Sequence, residues 1–184
     1  EIPAARVATA ERQIERGLNA PRVSSMGRLF DAAAAVLGVR RYASYEGQAA
    51  MELESLAGAI PARPLAFPMG EADGRLVLDP LPLLAALGEL RQRGVDLALL
   101  AARFHESVAS AAAEVARAVA DANAIDVVAL AGGTFQNARL LSRVRTRLES
   151  AGLRVLAPRQ LTPNDGAISY GQAAIAAALL RREA

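Results

Sequence analysis

A helix-rich α/β fold is what this 184-residue sequence predicts, and three observations carry the prediction. Helical periodicity fills most of the chain. An Asp-Gly pair stands between two short apolar arms, as in a hairpin. Two short apolar runs, Asp126–Ala131 and Arg154–Ala157, flank one helical stretch, the pattern of a parallel βαβ unit.

From Ala4 to Leu18, Val7, Ala10, Ile14 and Leu18 recur at three- and four-residue spacing among charged residues, which predicts an amphipathic helix. Asn19 to Val23, with Pro21, breaks it. Ser24 or Ser25 then offers a cap for a helix over Met26–Leu37, ended by Gly38. A third helix is expected from Gly47 to Leu56, followed by proline and glycine punctuation up to Gly70. Asp73-Gly74 marks the hairpin turn, and Pro68 makes its first arm an edge strand or no strand. Asp79-Pro80 opens a helix to about Arg93. Val95 or Asp96 begins the longest one, to about Ala122, with Leu100, Phe104, Val108, Ala112, Val115 and Val119 in one stripe. After the first apolar run, Gly132-Gly133 leads into a helix over Gln136–Ser150. A loop from Pro158 to Asn164 follows the second run, and a last helix spans about Ala167–Arg182. No internal repeat or long linker divides the chain, so residues 1–184 read as one unit.

Composition limits the chemistry. At this length a domain buries about 70% of its extended-chain surface and needs no staple. There is no Cys, which excludes disulfides, thiolate nucleophiles and Cys-held metals. The single His, His105, excludes a self-contained two-His metal site, and in Ala-Arg-Phe-His-Glu it reads as a packing or helix-bonding residue outside any site. All 21 basic residues are Arg, so Schiff-base chemistry and a phosphate-loop lysine are excluded as well. The isoelectric point near 9.6 comes from Arg, yet the net charge is only +2, which points to solvated helix faces and no nucleic-acid partner. No apolar run of about 18 residues lacks a charge, and the first residues carry no signal-peptide core, so a cytoplasmic location off the membrane is expected. Most of the 43 Ala residues sit in helical stretches. The chain starts at Glu1 without a Met and reads as a piece of something longer.

Four segments carry polar chemistry. In Leu130–Asn137 a strand, two glycines and a helix start let backbone N–H groups approach an anion, with the helix dipole behind them; the plain alternative is a tight βα connection. Thr162–Ser169 leaves the neighbouring strand at the same end, where ligands bind in parallel sheets. There Asp165 is either a ligand for a metal or water, or a helix N-cap. In Ser24–Asp31, Arg28 and Asp31 lie on one side of a helix and either pair together or leave Asp31 for ribose hydroxyls, with Gly27 admitting the ligand. Tyr45-Glu46-Gly47-Gln48 is a polar tip or a capped turn.

Together, in the order SSMGRLFDAAAAVLG, YEGQAAMELESLA, LAGGTFQNARLL and TPNDGAISYGQAA, these segments closely resemble the C-terminal part of the HypF carbamoyltransferases, which mature [NiFe] hydrogenases. The resemblance runs from about Arg12 to Ala177 and includes FHESVA around His105. It implies the helix-rich C-terminal lobe of a TsaD-like domain in the actin and sugar-kinase superfold, with ribonuclease-H-like lobes closing on a nucleotide. It further implies that carbamoyl adenylate, made from carbamoyl phosphate and ATP in a YrdC-like domain, passes its carbamoyl group to the C-terminal cysteine of HypE.

Carried over to this sequence, the resemblance places Asp31 at the ribose. Gly132, Gly133 and Asn137 take the nucleotide, and Glu46, Gly47 and Gln48 the rim. Asp165 completes a divalent metal site of iron, zinc or magnesium, shared with a His-x-x-x-His pair that this chain lacks. Relatives that modify tRNA carry Asp-Asn-Gly where this chain has Asn164-Asp165-Gly166, which makes Asn164 the other candidate; the harder carboxylate favours Asp165. No residue of the chain is expected to act as a covalent nucleophile. The competing expectations are an O-carbamoyltransferase of antibiotic biosynthesis and a non-catalytic module. The latter would pair its apolar helices with an absent N-terminal lobe or with a second copy of itself.

Overall fold

The computed structural model describes residues 2–183, and four of its helices begin where a side-chain oxygen caps them. Helix α1 spans Ala4–Arg16, α2 Met26–Leu37, α3 Gln48–Ala57, α4 Pro80–Gln92, α5 Leu97–Asn123, α6 Ala138–Ser150 and α7 Ile168–Glu183. Ser25, not Ser24, caps α2 by accepting from the Arg28 N–H; Asp79 caps α4 and Asp96 caps α5 in the same way. Strands β1 (Met69–Ala72) and β2 (Arg75–Leu78) form the antiparallel hairpin, and β3 (Val127–Ala129) and β4 (Arg154–Leu156) form a parallel pair. This is the mixed, helix-rich α/β architecture that the periodicity predicts.

In the hairpin, Asp73 and Gly74 both take positive φ, 52° and 70°, as a two-residue turn matching the strand twist requires. Pro68 lies just before β1, and its carbonyl accepts from the Asp79 N–H at 2.9 Å, so the proline closes the ladder without interrupting it.

Helix α5, 27 residues and about 40 Å long, is the axis of the core. Between Leu100 and Ala109 it is buried on almost every side, because α6, α3 and α4 pack around it. Phe30 of α2 meets Phe104 edge to face, with ring centroids 4.9 Å apart. Leu37, Leu53, Leu83, Leu87, Val144 and Leu148 complete this core at almost no exposure, each worth about 1.5–3 kcal/mol of apolar burial.

The βαβ unit is β3, α6, β4, in parallel register Val127↔Arg154, Val128↔Val155 and Ala129↔Leu156. The first strand is shorter than the expected Asp126–Ala131: after the Leu130 N–H reaches Leu156 O, Gly132 at φ 101° turns the chain out of the ladder. A second correction concerns the helix expected from Gln136. A 3₁₀ turn, Gly133–Gln136, comes first, and α6 starts at Ala138 with Asn137 as its cap.

Two helices stay outside the core. Helix α1 has no buried residue, so its stripe of Val7 and Ile14 faces outward, and Arg6 stacks over Tyr42 at 5.9 Å. On α7, Ile168, Tyr170, Ile175, Leu179 and Leu180 are all more than half exposed. Among the described residues no helix is long and apolar enough to cross a membrane.

Candidate functional site

The two loops that leave β3 and β4 meet. The Gly132 N–H donates to Pro163 O at 2.6 Å, and Gly133 comes so close that a Cβ there would stand 3.9 Å from Asn164 Cβ. Inside the 3₁₀ turn Phe135 N–H reaches Gly132 O and Asn137 N–H reaches Thr134 O. The Gly133 and Thr134 N–H groups donate to nothing among the described residues, and Gly133 is exposed. Two neighbouring free backbone donors on an exposed turn are the kind of groups an anion needs.

The start of α6, which follows this turn, is already partly engaged. Its first turn already has acceptors: Glu54 Oε1 takes the Arg139 N–H at 3.1 Å and Asn137 Oδ1 takes the Leu140 N–H at 2.8 Å. A carboxylate at the helix start offsets the terminal charge that an anion would otherwise feel.

In the second loop the cap is Asn164. Its Oδ1 accepts from Thr162 Oγ1 at 2.6 Å and from the Gly166 N–H at 3.1 Å, so Asp165 is released from the capping role its sequence position offered. A Cβ at Gly166 would stand 3.1 Å from Asn164 Oδ1 and would have to push this cap aside by a few tenths of an ångström. Asp165 is exposed, and its carboxylate makes no hydrogen bond or ion pair among the described residues.

Beneath the glycine turn lies a buried polar network that the sequence reading left out of the site. His105 is fully buried; its Nδ1 is 2.8 Å from Ala101 O and its Nε2 2.9 Å from Asn137 Nδ2. Burial pushes the imidazole below its usual pKa, and the Arg139 charge adds to this against the Ala101 carbonyl, Glu54 and Glu106. Arg139 is itself buried. It donates to the carbonyls of Ala57, Gly58 and Ile60 and to Glu106 Oε1, and only its Nε–H lacks a partner. Glu106 also meets Arg143 at 2.9 Å and Arg147 at 2.8 Å. The network fastens the end of α3 and the start of α6 to α5.

His105 touches two of the four polar segments at once, and the charge of Glu54 reaches it from α3. Phe30, beside Asp31, stacks edge-on at 5.4 Å, and Asn137 bonds it. The sequence held one signal for this. From Leu100 to Ala113 the only charges are Arg103 and Glu106, a stretch of helix too apolar to have a solvent face.

The remaining candidates divide into free and engaged groups. Asp31 pairs with Arg28 at 2.8 Å, with Arg28 mostly exposed; such a pair is worth about 0–1 kcal/mol and exchanges readily for other donors. Gly27 lies in the first turn of α2, Glu46 is exposed, and Gly47 is the N-cap of α3 at φ 78°. Gln48 is buried and engaged: its Oε1 accepts from the Ser44 N–H at 2.7 Å and its Nε2 donates to Glu52. Arg40 donates through Nε to Glu52 at 2.9 Å, and this bond holds the Glu52 carboxyl below its usual range and the guanidinium above its own. Gln48 therefore braces the tip from below.

For a metal, the two joined loops offer one carboxylate, Asp165. The described residues contain no group of three or more His, Cys, Asp or Glu side chains able to hold an ion, and His105 is taken by Asn137. Asp165 alone does not make a cation site.

Residues 3–172 match the family described as "Carbamoyltransferase, Kae1-like Domain, second subdomain", which defines the class of this fold. The chain belongs to the HypF carbamoyltransferase family. It is 43% identical to the carbamoyltransferase HypF of Rhodobacter capsulatus, over 97% of this chain and 23% of that protein. A crystal structure of full-length HypF in the phosphate- and nucleotide-bound form matches with a TM-score of 0.89 at 38% identity, over 97% of this chain and 24% of that one. HypF of T. kodakarensis matches with a TM-score of 0.76 at 27% identity, over 88% and 20%. The chain thus spans about a quarter of the length of these relatives.

Proposed function

We propose that this chain is the nucleotide-binding half of a carbamoyltransferase domain that takes carbamoyl adenylate, derived from ATP, and passes the carbamoyl group to the C-terminal cysteine of HypE in the cytoplasm. The observation that carries the reading is the joined pair of loops, where the Gly133 and Thr134 N–H groups stand unpaired beside an uncommitted Asp165. The solved HypF in its phosphate- and nucleotide-bound form supports it.

In this reading a thiolate of the acceptor attacks the carbamoyl carbon of the mixed anhydride. The S–C bond forms, the bond from carbon to the phosphate oxygen breaks, and AMP leaves with that electron pair. Charge grows on the phosphate, where donors fixed before the reaction stabilise it most. Gly133 and Thr134 supply such donors, Asp31 holds the ribose once it exchanges Arg28 for hydroxyls, and Glu46 and Gly47 border the pocket over the brace of Gln48. The chain contributes no covalent nucleophile. A divalent metal enters only as an ion shared with an N-terminal lobe, to which Asp165 gives one oxygen.

Calorimetric titration with ATP, ADP and AMP, with and without magnesium, tests the reading. Asp31→Ala and Gly133→Pro, the latter removing one N–H at a helical position, should each weaken binding about tenfold or more. A folded wild-type chain that binds none of the three would overturn it.

A second reading is favoured by the exposed apolar side chains of α1 and α7: a non-catalytic module whose open face pairs with a second copy or with the N-terminal lobe. Dimerisation in light scattering without nucleotide affinity is the outcome that selects it.

A further inference from the structure

The nucleotide reading makes no use of His105, the one imidazole of the chain and a fully buried one. Its partners fix its protons. The Ala101 carbonyl can only accept, so Nδ1 carries the hydrogen; the Asn137 amide nitrogen can only donate, so Nε2 carries the lone pair. The same logic fixes Asn137, whose Nδ2 faces the ring and whose Oδ1 therefore caps α6 at the Leu140 N–H. Through its backbone, Asn137 also closes the 3₁₀ turn, donating to Thr134 O. One chain of donors and acceptors thus runs from α5 through the ring to the turn that presents Gly133 and Thr134.

We propose that His105 is the positioning residue of the glycine turn: its neutral ring holds the Asn137 amide in the one orientation that caps α6 and sets the turn. For its effect on ligand binding, this inference rests on the nucleotide reading above. Protonation makes Nε2 a donor facing a donor. The amide must then rotate, which turns its NH₂ against the Leu140 N–H and uncaps the helix. The charged groups around the ring are Arg139 from α6, Glu54 from α3 and Glu106 from α5, while α2 presents the uncharged Phe30.

Because the chain has a single His, nitrogen-15 NMR of the labelled chain reads this ring without assignment. The expected result at pH 7 is the neutral Nδ1–H tautomer. His105→Leu should displace the Gly133 and Thr134 amide resonances and weaken ATP about fivefold, the scale of a lost helix cap. His105→Gln, whose Oε1 accepts from Asn137, should restore both. Asn137→Asp keeps the cap and should raise the His105 pKa, since a carboxylate then faces Nε2.

An Nε2–H tautomer or an imidazolium at pH 7 overturns the proposal. So do unmoved Gly133 and Thr134 amides in His105→Leu, or a folded His105→Gln that restores nothing. If His105→Leu does not fold, the wild-type tautomer and the Asn137→Asp pKa decide. If the folded wild type binds no nucleotide, the functional reading falls, while tautomer and amide shifts still decide the role of His105.

Discussion

The glycine turn after β3 and the loop after β4 solve the same problem in opposite ways. Each leaves the carboxyl end of a parallel strand, passes through a 3₁₀ turn and enters a helix, and each uses an asparagine as the capping residue. Asn137 is buried and bonded to His105; Asn164 is partly exposed and bonded to Thr162 and Gly166 within its own loop. The difference teaches how such a site divides its work. A turn that offers backbone donors gains from being fixed by the core, since fixed dipoles need no reorganisation when charge develops. A loop that offers a carboxylate gains from leaving it uncommitted.

The contrast can be broken most severely at Glu106, where three arginines converge on a side chain only 5% exposed. Glu106→Ala should cost about 3–5 kcal/mol, because Arg139 is left charged and buried without its partner. The urea midpoint measures this, and a loss below about 1 kcal/mol would contradict a network that holds the core side together. The two caps give the sharper test. Asn137→Ala removes a cap and strands the His105 Nε2, for about 2 kcal/mol, whereas Asn164→Ala should cost about 0.5 kcal/mol. Equal losses in thermal unfolding would erase the distinction drawn between the loops.

Acid gives a third, smaller effect. The folded pKa of His105 lies below its ordinary 6.5, so below pH 6.5 the unfolded chain binds more protons than the folded one. Stability from this group is complete above 6.5 and falls as the pH drops toward the folded value, by at most about 1.4 kcal/mol per pH unit. Unfolding curves of His105→Gln should be flatter across that window than those of wild type. The smallest change is Asp165→Asn, which should leave the melting temperature nearly untouched, within about 0.5 kcal/mol, as fits an exposed side chain without partners.

Much of this could be read from the residues. Periodicity located every α-helix to within a few positions, because α2, α6 and the first half of α5 do turn apolar residues to the core, although Val119 at the end of the α5 stripe is exposed, and Asp73-Gly74 encoded its own turn. The stripe of α1 did not find a core, since amphipathic spacing states that a helix has an apolar face but not what covers it. At the site, the two loops were placed together by the parallel βαβ pattern, while the capping role that Asp165 could have taken fell to Asn164. What escaped was the commitment of each polar group. Asn137 and Gln48 read as ligand-binding amides, yet both are buried and bonded, Asn137 by His105 from 32 positions away and Gln48 by Ser44 and Glu52, four positions to either side.

By itself the sequence determined the element order, the turn chemistry, the absence of thiol and amine nucleophiles, and membership of the HypF family, since these depend on residue type and short-range spacing. Only the tertiary structure decided which donors stay free. A hydrogen bond such as Asn137 to His105 joins residues 32 positions apart, and its existence depends on α5 and α6 packing side by side, a distance that no local pattern encodes.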